Sequence, residues 1–164
     1  MHGREILETH LREHEGLRTR LEEWEAALGK TAGGDYHQTQ QALRALRSLC
    51  RFFQHEGWHH FHEEETVVYP AAEYRVPRLR GLVWELRHEH DMIRQVFEEF
   101  RRELAYFNAS GELRHLPQLG RDLVRLLRQH IEREESELHP VVLKEFSEED
   151  WRALRRLFVE AQVV

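Results

Sequence analysis

Cysteine is nearly missing from this chain: Cys50 stands alone among 164 residues. One thiol excludes an intramolecular disulfide and suits a reducing, cytoplasmic setting. No apolar run approaches the roughly 20 residues that a membrane-spanning helix needs. The opening Met1-His-Gly-Arg-Glu5 has no apolar stretch of the kind that leads a secreted chain. No membrane association is therefore expected. Basic blocks are also lacking: the net charge is −6, with Arg and Glu mixed along the chain, which argues against nucleic acid as a partner. Sustained strand alternation is absent as well. A chain of this length is most simply one domain with a real core.

Histidine is the residue in excess, at 13 copies. Its placement carries the reading. One phrase occurs twice, 70 residues apart. His60-Phe-His-Glu-Glu64-Glu65 runs on to Pro70, and His130-Ile-Glu-Arg-Glu134-Glu135 runs on to Pro140. An i,i+4 spacing puts the histidine and the first glutamate on one helix face.

Helical periodicity predicts four long helices, over about 4–29, 36–69, 78–108 and 112–139, with Pro117 able to shift the last start. Gly29 to Gly34 is read as a break, Asp35 as a cap, and Pro70 and Pro77 as the brackets of a turn. Ser147-Glu-Glu-Asp150 announces a shorter fifth helix. The fold expected is all-α: an up-down-up-down four-helix bundle spanning 1–145, its halves 1–75 and 76–140 resembling repeats of one hairpin. Residues 146–164 form a C-terminal helix in the same domain, covering the bundle or making a homodimer contact.

Each apolar stripe is interrupted by polar residues. The inward series are Leu7, His14, Leu17, Leu21 in the first helix and Phe53, Gly57, His60, Glu64, Val67 in the second. They are Val83, Leu86, His90, Ile93, Phe97 in the third and Leu123, Leu127, His130, Glu134, Leu138 in the fourth. Counting from the turns, His60, His90 and His130 share one layer, at a rise of about 1.5 Å per residue. His14 fits only if the first loop or a longer first helix takes up the difference. Burying two carboxylates and four imidazoles among Leu and Phe is costly unless a cation joins them. Such donors suit Fe, Mn or Zn. A buried histidine taken singly is more often a hydrogen-bonded core residue, but four in phase with two glutamates are poorly explained as coincidence.

These residues resemble the hemerythrin family, specifically its HHE cation-binding domains, over residues 4 to about 140. The pattern falls on His14, on His60 and Glu64, on His90, and on His130 and Glu134. The resemblance implies that these six residues hold two non-heme iron ions bridged by the carboxylates, and that the site meets O2 or a related small oxidant. The oxygen carriers of that family have two histidines one turn apart on the third helix; here Arg94 follows His90 at that spacing. His10, one turn before His14, is a substitute ligand, with His88 and His139 as weaker ones. Four neutral histidines to two glutamates favour binding of an oxidant. A redox enzyme acting on peroxide, NO or ferrous iron is the rival reading, with Tyr69 and Tyr74 as candidate redox groups. An iron or oxygen sensor is a third.

Overall fold

The computed structural model describes residues 3–33, 35–110 and 115–162. Its elements are helical throughout, with no strand among the described residues. The helices are α1 (Gly3–Gly33), α2 (36–75), α3 (77–110), α4 (116–145) and α5 (Glu148–Ala161). Among the described residues, no helix is long and apolar enough to cross a membrane.

Helix α1 does not break at Gly29. It continues to Gly33, with buried Thr31 donating its hydroxyl to the Leu28 carbonyl at 2.7 Å. An interior glycine costs about 1 kcal/mol relative to alanine, too little to stop a helix held by its packing. The longer α1 supplies part of the length that the counting argument required. Asp35 caps α2 as expected, in a capping box with Gln38.

Pro70 and Pro140 do not end their helices. In α2 the wider π geometry replaces α geometry at Phe53–Gly57 and at Glu64–Val68, and α geometry resumes over Tyr69–Arg75. In α4 a π turn at Glu134–Leu138 precedes His139–Glu145. Both prolines thus sit just after a π turn, near the start of a resumed α segment, where a missing N–H is tolerated. The first reversal comes at Val76, whose φ of −125° and ψ of 78° leave the helical region. Pro77–Leu79 then forms a single 3-10 turn into Arg80–Ser110. The expected α4 start near 112 lies outside the described residues. The described helix begins at Leu116 with Pro117 in its first turn. Helix α5 has the expected cap, Ser147 with Asp150.

Helix α1 packs along α2 and α4, α3 packs along α4, and α5 lies against α1 and the C-terminal part of α2. The apolar interior is split into two clusters. One holds Leu17, Trp24, Leu46, Phe53, Ile93, Phe100 and Leu127. The other holds Leu7, Val67, Tyr69, Leu86, Leu138 and Trp151. Along each of α1 to α4 the chain leaves one cluster, meets the buried histidines, and enters the other. The polar residues therefore form a layer between two apolar ends.

Candidate metal centre

All six expected residues are buried, and they converge. His14, His60, Glu64 and Glu134 bring ligand atoms within 4.8 Å of one another, as do Glu64, His90 and His130. Glu64 is common to both groups. Its Oε1 lies 2.9 Å from His60 Nε2 and 3.7 Å from His14 Nε2, and its Oε2 lies 3.3 Å from His90 Nε2. Glu134 Oε2 lies 3.2 Å from His14 Nε2 and 3.6 Å from His130 Nε2.

Around this centre runs a ring of carboxylates. Glu13 of α1 faces His60 Nδ1 of α2 at 2.8 Å, and Glu65 of α2 faces His90 Nδ1 of α3 at 2.8 Å. Glu89 of α3 faces His130 Nδ1 of α4 at 2.9 Å, and Glu135 of α4 faces His14 Nδ1 of α1 at 3.1 Å. Each helix thus orients the histidine of the next. Arginines hold three of the four carboxylates: Arg18 on Glu135, Arg94 on Glu65 and Arg133 on Glu89. Arg94, at the spacing where the oxygen carriers have a second histidine, therefore supports Glu65.

This ring sets the tautomers. An ionised carboxylate only accepts, so each Nδ1 carries the proton and each neutral ring turns the Nε2 lone pair inward. His90 Nε2 and His130 Nε2 then face each other at 2.9 Å, an arrangement that needs a proton or a cation between them. His14 Nε2, both oxygens of Glu64, and Glu134 Oε2 are buried without a hydrogen-bond partner. Such atoms cost about 1–3 kcal/mol each if left so. Inward lone pairs around two unsatisfied carboxylates fit a bound cation, and carboxylate-backed histidines are the usual surroundings of one.

The electrostatics agree. Burial alone would lower the His14 and His60 pKa values. The adjacent carboxylates outweigh it and push both up to about 10. Burial pushes the Glu64 carboxyl up, but the surrounding histidines hold it well below the usual range. The cavity favours positive charge.

The packing sorts the remaining candidates around the centre. Tyr69 is buried at the centre, and its hydroxyl donates to Glu134 Oε1 at 2.5 Å. Burial and then the Glu134 charge push its pKa well above the usual range, so it stays a donor. Tyr74 is exposed, away from the centre. His139, 70 residues after Tyr69, stacks on His14 at 5.6 Å, and burial pushes its pKa down to about 4. His10 is buried beside Glu64, whereas His88 is exposed and stacks on Trp84. Phe61 stacks on His90 at 3.7 Å. The space beside Gly57 belongs to Phe53, whose ring would lie 3.1 Å from an added Cβ. The orienting glutamates had a signal: Glu13-His14 and Glu89-His90 repeat across the halves, as do Glu64-Glu65 and Glu134-Glu135.

A family comparison agrees with this geometry. The model for the hemerythrin HHE cation-binding domain matches residues 5–142. The chain belongs to the hemerythrin HHE cation-binding family. No curated protein matches it. For a hemerythrin HHE domain, a buried centre of histidines and glutamates is the expected place for a metal cation, usually iron.

Proposed function

We propose that the chain is a non-heme di-iron protein that binds O2 or a related small oxidant. His14 and His60 would hold one ion, His90 and His130 the other, and Glu64 and Glu134 would bridge them. The observation that carries this reading is Glu64: a fully buried carboxylate with both oxygens unpartnered, facing histidines of both groups. Zn and Mn suit the same donors. A bound iron pair would supply reversible redox capacity next to a site for the oxidant. The protein's own part is to orient the imidazoles through the glutamate ring, to exclude bulk water with Phe61 and the two apolar clusters, and to hold a proton at Tyr69.

An up-down-up-down four-helix bundle is the arrangement we infer. The alternating order of the two apolar clusters along α1 to α4 supports it, as does the cyclic Glu-to-His ring. Residues 146–164 are read as part of the same domain and the protein as cytoplasmic. A redox enzyme acting on peroxide, NO or ferrous iron is the second reading. The phenol of Tyr69, 2.5 Å from Glu134, favours it.

Metal analysis of untagged protein, with absorption spectra of the reduced form before and after adding O2, tests the proposal. About two irons per chain, as in paired carboxylate sites, and a spectral change that reverses on deoxygenation are expected. Turnover of peroxide or NO would favour the enzyme. Glu64→Ala and Glu134→Ala should each lose the paired site, and full metal content in both would reject bridging.

A further inference from the structure

We propose that His10 is a further metal ligand of this centre, coordinating through Nδ1 beside Glu64, with Glu63 as the carboxylate that orients it. The inference rests on the paired-metal reading above.

His10 is 1% exposed, and neither ring nitrogen has a hydrogen-bond partner. Its Nδ1 lies 3.7 Å from Glu64 Oε1, the same separation as His14 Nε2 from that atom. Its Nε2 lies 3.5 Å from Glu63 Oε2. The other four histidines follow one rule, with one nitrogen at a central carboxylate and the other at an outer one. His10 obeys that rule with its two nitrogens exchanged. A merely structural histidine would use its buried nitrogens in hydrogen bonds. Coordination at Nδ1 satisfies one of them and fixes the proton on Nε2, aimed at Glu63.

Glu63 is built to hold that position. Its Oε1 accepts from Gln162 Nε2 at 2.8 Å and lies 3.2 Å from His59 Nε2, which leaves Oε2 for His10. Glu63 stands one turn after exposed His59, yet its own side chain is buried. Gln162 directly follows α5, so the end of the C-terminal helix braces the ligand. His10 lies on the His14–His60 side, its ring 4.9 Å from that of His60. That ion would gain a third neutral imidazole, a donor suited to divalent first-row metals. The ion at His90 and His130 would gain none.

Cobalt(II) loaded into the metal-free full chain is the probe. Each coordinated imidazole gives an exchangeable N–H proton signal strongly displaced by the paramagnetic ion. His10→Ala should show one such signal fewer than the parent and release part of its cobalt faster to excess chelator. Glu63→Gln should keep the signal count but speed that release by roughly 10-fold or more, as loss of an orienting carboxylate does. An unchanged signal count and release rate in His10→Ala would overturn the assignment. Should that variant fail to fold, a parental release rate in Glu63→Gln would overturn it. A parent that retains no cobalt would instead reject the paired-metal reading and this one with it. A parent with retained cobalt and an unaffected His10→Ala rejects the His10 role alone.

Discussion

Glu65 and Glu135 each follow a central glutamate directly, yet they point to the next helix and hold the Nδ1 proton of His90 and of His14. Each carries a lowered pKa. For Glu65 burial opposes the shift and His90 and Arg94 outweigh it; for Glu135 the Arg18 hydrogen bond is the largest cause. Replacing either by glutamine keeps its size and removes the charge that makes the imidazole a better donor. Glu65→Gln and Glu135→Gln should each weaken metal affinity by about 10–100-fold without changing stoichiometry at saturation. Competition against a chromophoric chelator measures this, and parental affinity would reject the orienting role.

The helices owe their ends to local chemistry and their faces to packing. Ser147 accepts from the Asp150 N–H, and Asp150 accepts from the Ser147 N–H and hydroxyl. Ser147→Ala should lower stability by about 1 kcal/mol in a denaturant melt. Burial pushes the Asp150 carboxyl up, but Ser147 and Arg75 outweigh it and lower its pKa below the ordinary 3.8. A lowered carboxylate stabilises the fold above its unfolded pKa and loses that contribution as pH falls through the folded value. The stability curves of the parent and Asp150→Asn should therefore differ near neutrality and converge in acid below pH 3.8. A constant gap across pH would assign the effect to something other than charge. Where α1 meets α4, a Cβ on Gly120 would come within 2.6 Å of the Leu28 methyls. Gly120→Val should cost about 1–3 kcal/mol by overpacking, read as a shift in the denaturant midpoint with an unchanged slope.

For the whole molecule, the central layer is the weak point of an otherwise apolar interior. Protons on His14 and His60, whose pKa values stand near 10, can replace a cation at neutral pH. They leave Glu64 with fewer bonds than a bridged pair would give it. Metal that binds only the folded chain stabilises it by mass action, by about 4 kcal/mol at 1,000 times the dissociation constant. Each kcal/mol moves Tm by about 2–4 °C at this chain length. Chelation should therefore lower Tm by roughly 10 °C, while helical content at room temperature stays close to that of the loaded protein. An identical Tm with and without chelator would make the layer a structural one.

Much of this was legible in order along the chain. Four amphipathic stripes, the capping residues Asp35 and Ser147, and the six in-phase histidines and glutamates are one-dimensional signals, because a helix repeats its face every 3.6 residues. Helix ends at Gly29, Pro70 and Pro140 were misread. A glycine's small cost is overridden by packing, and a π turn can precede a proline, which local preference alone does not encode. Glu13, Glu63, Glu65, Glu89 and Glu135 look like solvated charge until other helices approach them. Only the tertiary structure decided their roles, since each acts on a histidine of a different helix. His10 lies on the stripe of α1, one turn before His14, and the packed helices decided only that it stands beside Glu64. For Tyr69, burial beside Glu134 is a property of the packed helices.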